Sequence, residues 1–255
     1  VRVIAIVQAR MNSTRLINKV MRDIVGKPML WHIVNRLQHA KTVEEIVISA
    51  ASGRVNKPII DFAEENHIPY YAGSELDLID RWYQTAIKFK ADAIVRVTGD
   101  CPLVDPILTD ALIDYYIKNQ PLDFVSNSRP KASYPHGLDV ESYSFSALKR
   151  AWNEVEGDFL REWGSVNFFE HPETYRIANL SHSKDLSNLR WVVDYEDDLE
   201  FVREIYRNLY KEGEVFLMED ILKLLERNPQ IAQINKKHVG DDTYRLLKGG
   251  KLNVY

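Results

Sequence analysis

VIAIVQARMNSTRLINK, residues 3–19, decides the fold. Its first five residues are apolar and mostly β-branched, as a parallel strand buried on both faces requires. The remainder is polar and brings Arg10, Arg15 and Lys19 together with the hydroxyls of Ser13 and Thr14. Beyond it Met29, Leu30, Ile33, Val34 and Leu37 recur at helical spacing. A buried strand that runs through a polar loop into a helix is the opening unit of an α/β sheet.

The alternation continues outward. Residues 46–48 read as a second strand, Val55, Ile59, Phe62 and Ala63 mark a second helix, and residues 69–72 read as a third strand. Leu78, Ile79, Trp82, Tyr83, Ala86 and Ile87 form an amphipathic helix before a fourth strand at 93–97. Three βα units and a fourth strand predict parallel strands with helices on both faces. After that the pattern loosens. Asp105 and Pro106 read as the cap and first residue of a helix, 124–125 as a strand and 127–137 as a loop. Residues 140–143 read as a strand entering a helix at Ser144, and 190–193 as a strand whose end carries Asp194. Leu199, Val202, Ile205, Tyr206 and Leu209 pattern a further helix. The expected organisation is one domain over residues 1–226 and a C-terminal arm over 227–255, packed on the body or on a second subunit.

Composition bounds the partners. Among 255 residues, Lys+Arg 33 against Asp+Glu 37 leaves a net charge of −4, which offers no global field for nucleic acid or an anionic membrane. An anionic ligand must therefore meet a local basic cluster. The single cysteine, Cys101, excludes a disulfide framework and a multi-cysteine metal site, and the expected compartment is the reducing cytosol. The opening residues lack the order of a signal peptide, and no apolar run approaches the ~20 residues that span a bilayer. No nucleic-acid or membrane partner is expected.

In an open α/β sheet, ligands sit beyond the carboxyl ends of the strands where strand order reverses, so the loops after the first and fourth strands are the places to search. Three cations and two hydroxyls within residues 10–19 supply what a polyphosphate needs: charge, forked guanidinium donors and hydroxyl donors. A basic loop is ordinarily a solvated face; its position directly after a buried first strand favours phosphate. Neither GxxxxGK[ST] nor GxGxxG is present. After the fourth strand, TGDCPLVDP at 98–106 places Asp100 between a Gly and a Pro, suited to a hard cation that is completed by substrate phosphates. Asp194 is the natural second carboxylate, with a helix cap as its competing role. Asp197 and Asp198 are accounted for by the helix dipole. Cys101 reads as a buried loop residue. The seven histidines form no HxxxH or HExxH pair, and only His136, in a loop, is placed to meet a substrate. Trp82, Tyr83 and Phe89 read as core.

These residues resemble a known family. QARMNSTRL to GKPML (8–30), Asp80-Arg81, VRVTGDCPLVDP (95–106), YPHGLDVESYSFSAL (134–148), RWVVDYEDDLEFV (190–202) and NPQIAQINK (228–236) resemble the sugar-activating cytidylyltransferases. These include the 3-deoxy-manno-octulosonate and acylneuraminate types, and the similarity is greatest to the spore-coat polysaccharide biosynthesis branch. The resemblance implies a GT-A-like, Rossmann-related mixed α/β sheet with helices on both faces. It implies a cytoplasmic homodimer that transfers CMP from CTP to a sugar or sugar-acid hydroxyl with Mg²⁺, releasing pyrophosphate.

Position by position, Arg10, Ser13, Arg15 and Lys19 resemble the residues holding the CTP phosphates. Gln8, Ala9 and Thr98 would face the nucleoside, and Tyr134, His136 and Glu141 the acceptor. Asp100 and Asp194 resemble the metal carboxylates; with Arg10 and Lys19 they make the expected catalytic set. Relatives have Gly at the Asn12 position, Pro-Gly at 17–18, His at Trp163, and Thr and Pro where Tyr195 and Glu196 stand. The first two departures imply a less tightly preformed loop. Two rivals remain on the residues alone. A GT-A glycosyltransferase would carry a second Asp after Asp100, where Cys101-Pro102 stands. A catalytically silent nucleotide-binding protein would not need all three basic residues and both carboxylates.

Overall fold

The computed structural model describes residues 1–241. Its first half comprises β1 (Val3–Ala9), a short hairpin of β2 (Asp23–Ile24) and β3 (Lys27–Pro28), α1 (Met29–Leu37), β4 (Glu45–Ala51), α2 (Lys57–Glu65), β5 (Tyr70–Gly73), α3 (Leu78–Lys88) and β6 (Ala93–Thr98). β1 pairs in parallel with both β4 and β6, and β4 with β5. The three expected βα units and fourth strand are all present. The order β5-β4-β1-β6 reverses direction of growth at β1, so the carboxyl ends of β1 and β6 flank a switch point.

The second half comprises α4 (Pro106–Lys118), β7 (Phe124–Ser126), β8 (Glu141–Ser144), α5 (Phe145–Glu154), α6 (Asp158–Glu162), α7 (Val166–Phe169), β9 (Ile177–Asn179), α8 (Glu196–Leu209) and α9 (Met218–Arg227). β8 runs antiparallel to β6 and β7, and β9 parallel to β7, completing the sheet β5-β4-β1-β6-β8-β7-β9. Asp105 caps α4, its carboxylate accepting from the backbone N–H groups of Ile107 and Leu108 at 2.8 and 3.0 Å. Ser144 caps α5 in the same way.

Side-chain alternation along β1 sorts the two layers. Val3, Ala5 and Val7 enter the larger core, built with α1, α2, α4 and α8. Ile4 and Ile6 face α3 and α5 with Trp82, Tyr143 and Phe168. Complete burial of each Ile or Val contributes roughly 1.5–3 kcal/mol relative to exposure. The even face carries Gln8 past Ile6, which places its side chain on the α3 side of the sheet, where the cleft opens.

Two expectations are corrected. Residues 190–193 are extended but form no strand; a single bridge joins Arg190 to His136. Gly137, at φ +111°, turns the chain directly against Val192, and a Cβ there would lie 2.4 Å from the Val192 nitrogen. The ladder stops at this close crossing. Val55 and Ile87, assigned to helix core faces, are exposed. Of the expected C-terminal arm, residues 228–241 form two 3-10 turns (Ile231–Gln233 and Lys236–His238) that bury Ile231 and Asn235. Residues 242–255 of that arm lie outside the described residues. Among the described residues no helix is long and apolar enough to cross a membrane.

His32 on α1 gives the core a pH dependence. Its Nε2–H donates to the Ile24 carbonyl at 2.7 Å and its ring packs 4.4 Å from that of Tyr206. Burial, aided by the Arg36 charge and opposed by the Ile24 bond, pushes its pKa down to about 4. The folded value lies below the unfolded value of about 6.5, so the stability this group confers is complete above pH 6.5 and is lost as pH falls towards 4. The expected loss from this group is about 3 kcal/mol between pH 7 and pH 4, and His32→Gln removes that slope in urea unfolding series.

Candidate active site

The basic loop after β1 is pinned at several points. Gly99 lets the end of β6 close on β1: its N–H donates to the Gln8 carbonyl at 2.8 Å, and a Cβ there would lie 2.8 Å from that oxygen. The Met11 N–H donates to Oδ1 of buried Asn56 at 2.8 Å. Asn12, where relatives have Gly, donates from Nδ2 to Glu75 at 2.9 Å. Asn18 takes the left-handed conformation, φ 55°, which Asn tolerates better than most residues. The departures from the family pattern at 12 and 18 are thus accommodated by a side-chain hydrogen bond and a permissive residue.

The loop then delivers its cations to the two expected carboxylates. Lys19 Nζ lies 2.9 Å from Asp100 Oδ2 and 2.9 Å from Asp194 Oδ1. Arg15 Nη2 lies 2.9 Å from the same Asp194 oxygen, and its guanidinium sits 5.1 Å from the centre of the Tyr195 ring. Burial opposes the charge of Lys19, but the two carboxylates overcome it and raise its pKa. Burial likewise opposes ionisation of Asp100, yet Lys19 and a hydrogen bond from Thr98 hold its carboxyl well below the usual range. Both shifts favour the charged forms, so Lys19 and Asp100 are ionised throughout the physiological range. Arg10 is more exposed, at the rim, 4.0 Å from Glu162.

Asp194 is held by a buried network. Asp198 is fully buried, and Arg190 binds it through Nε (2.9 Å) and Nη2 (2.8 Å), the latter also reaching Asp194 Oδ2 at 3.2 Å. Asp198 Oδ2 accepts from the N–H groups of Asp194 (3.0 Å) and Tyr195 (3.1 Å). Capping of α8 therefore falls to Asp198, and the Asp194 side chain is released from the cap role weighed for it. The helix dipole does not account for Asp198: its partner is a buried guanidinium. Asp197, by contrast, is solvent-facing and pairs with Lys237 and His238. Removing one member of a buried ion pair leaves the other unpaired, so Arg190→Met is expected to lower stability by about 3–5 kcal/mol, read from the urea midpoint.

A cleft of about 570 Å³ opens above these groups, within the range of small-molecule sites. Of the expected nucleotide residues, Gln8, Arg10, Ser13, Arg15, Lys19 and Thr98 line it, with Asp100 and Asp194; Ala9 is buried and does not. His136 and Glu141 line it as well, whereas Tyr134 lies outside the lining and packs against His182, ring centres 5.2 Å apart. Cys101 is buried.

A model of the family described as cytidylyltransferase matches residues 4–232. The chain belongs to that family. The spore coat polysaccharide biosynthesis protein SpsF of Bacillus subtilis is 28% identical over 249 residues, covering 90% of this chain and 96% of its own. A 3-deoxy-manno-octulosonate cytidylyltransferase of Geobacter metallireducens is 32% identical over 112 residues, 44% of this chain and 43% of its own. The structure of a cytidylyltransferase from Leptospira borgpetersenii superposes with a TM-score of 0.86 at 27% identity, covering 91% of this chain and 97% of that one. The enzyme is thus a CTP-dependent nucleotidyltransferase with the Rossmann-related fold expected, and membership sets the glycosyltransferase reading aside.

Several groups in this cytidylyltransferase cleft were not singled out by sequence. Arg96 projects from β6 on the face of Gln8, which accepts from its Nε at 3.0 Å, and lies over Trp82 at 5.0 Å. The antiparallel register sets Glu141 opposite Arg96, and the two form an ion pair; Glu141 also accepts from the Tyr143 hydroxyl. Glu141 therefore acts as the partner of Arg96. Trp82 is core, as expected, and also lines the cleft. Trp163 lines it beside Gly164, where a Cβ would meet the Trp82 ring at 2.7 Å. An arginine within an otherwise apolar strand was the one available signal.

The donor set suits a hard divalent cation. Asp100 and Asp194 already present oxygens to one cationic atom, the Lys19 nitrogen, and among the described residues no group of three or more His, Cys, Asp or Glu side chains converges as a self-sufficient metal site. Two carboxylates that need substrate phosphates to complete a shell are the usual Mg²⁺ arrangement.

Proposed function

We propose that the enzyme transfers CMP from CTP to a hydroxyl of a sugar or sugar acid and releases pyrophosphate, in cell-surface polysaccharide biosynthesis. The convergence of Asp100, Asp194 and Lys19 at the carboxyl ends of β1 and β6, beside Arg10 and Arg15, carries this reading. The triphosphate lies along residues 10–19. Lys19 and Arg15 exchange their carboxylate partners for phosphate oxygens, the Ser13 hydroxyl donates to the same chain, and Arg10 closes from the rim. A divalent ion, Mg²⁺ in this reading, held by Asp100 and Asp194, supplies Lewis-acid charge at the α-phosphate.

The acceptor occupies the side of His136. Its oxygen bonds to the α-phosphorus, the bridge to the β-phosphate breaks, the pyrophosphate keeps the electron pair, and the hydroxyl proton passes to solvent. Lys19 and Arg15 stabilise the charge on the departing pyrophosphate. The names of the relatives, one in spore coat polysaccharide synthesis and one acting on 3-deoxy-manno-octulosonate, support a sugar-type acceptor. A thermal-shift comparison of CTP, UTP, GTP and ATP with Mg²⁺ tests the nucleotide. Selective stabilisation by CTP is expected, at RT ln(1 + [L]/Kd); equal shifts with all four would overturn it.

A further inference from the structure

The chain beyond α9 reaches back to the site. Asn235, in the turn region after α9, is 3% exposed, and its Nδ2 donates both to the Arg190 carbonyl (3.0 Å) and to Asp198 Oδ1 (2.9 Å). Asp198 in turn holds the Asp194 backbone, and Arg190 holds the Asp194 carboxylate. Nearby, His238 stacks on Tyr195 with ring centres 3.9 Å apart and an 8° interplanar angle, and Arg190 Nη1 donates to the Asp241 carbonyl at 2.7 Å. Asn235, His238 and Asp241 thus engage the 190–198 turn, as Lys237 does through Asp197, and the contacts of the first three bear on residues beside or bonded to Asp194.

We infer that Asn235 is a positioning residue for Asp194: the C-terminal segment sets the carboxylate that holds the divalent ion. The inference rests on the assignment of Asp194 to that ion. A buried amide is suited to this role. It supplies two N–H donors without adding charge, so it saturates the remaining lone pair of Asp198 and leaves the Arg190 charge divided between Asp198 and Asp194. Without Asn235, Asp198 Oδ1 keeps, among the described residues, Arg190 Nε alone, and Arg190 is drawn further towards Asp198 and away from Asp194. Groups that orient metal ligands from behind typically change metal affinity by 10- to 100-fold when lost.

The test is Mn²⁺ binding followed by electron paramagnetic resonance, with CTP present and acceptor omitted. Asn235→Ala is compared with the milder Asn235→Ser, which keeps one donor, and with Asp220→Ala, which removes the side-chain cap of α9. Asn235→Ala is expected to weaken Mn²⁺ binding on the order of 10-fold, and Asn235→Ser by less. Asp220→Ala is expected to lower Tm without moving Mn²⁺ affinity. Wild-type Mn²⁺ affinity in both Asn235 variants overturns the inference, as does a loss that Asp220→Ala reproduces at equal Tm. Unchanged Mn²⁺ binding in Asp194→Ala would instead overturn the metal assignment itself.

Discussion

Asp100→Ala is expected to lower turnover by at least about 10³-fold while leaving the protein folded. The first part follows from the proposed role: Lewis-acid charge at a phosphoryl group contributes several kcal/mol to the transition state, and each 1.36 kcal/mol is tenfold in rate. The second part follows from the geometry. Lys19 loses one partner but keeps Asp194 at 2.9 Å, so no buried charge is stranded, and the change in stability is expected to stay within about 1 kcal/mol. A stopped assay for pyrophosphate and a thermal melt on the same sample separate the two. A fully active Asp100→Ala enzyme would remove Asp100 from the mechanism.

Lys19→Met is expected to act in opposite directions on turnover and on metal binding. Loss of a donor aimed at developing charge on the leaving group lowers kcat by about 10²–10³-fold. Yet the same substitution removes the ammonium that bridges Asp100 and Asp194, leaving, among the described residues, Arg15 and Arg190 paired with Asp194 and neither of them with Asp100. Mn²⁺ binding in the absence of nucleotide is therefore expected to strengthen in Lys19→Met, because the cation no longer competes with an internal one. In the wild-type protein the same competition is expected to make metal and nucleotide binding cooperative, because in the proposed reading the phosphates draw Lys19 away from the carboxylate pair. Equal nucleotide-free Mn²⁺ affinity in the two proteins would show that the bridge does not oppose the metal.

The parts legible in the sequence were those whose signal is local. The apolar run at 3–7 and the cations at 10–19 lie in one stretch of chain, and the rule that ligands gather at the ends of β1 and β6 brings Asp100 to the same place. The Asp105 cap was also readable, since its partners are two and three residues away. What escaped depends on pairs far apart in sequence. Glu141 looked free to meet an acceptor because Arg96, its partner 45 residues earlier, joins it only through the antiparallel register of β8. Asp198 looked like a helix-dipole residue because an acidic first turn is common. Its burial follows from Arg190 and from Asn235, 37 residues later, which no periodicity reports. Tyr134 shared a motif with His136 yet lies outside the cleft lining, where the chain turns at Gly137.

Phosphorus nuclear magnetic resonance reads the proposed transfer directly. The enzyme is incubated with CTP, Mg²⁺ and a panel of sugars and sugar acids. With a true acceptor, a new phosphodiester resonance from a CMP-sugar is expected to rise in step with pyrophosphate, and neither signal is expected with Asp100→Ala. CTP breakdown to CDP and phosphate, or pyrophosphate release without a phosphodiester product, would contradict it.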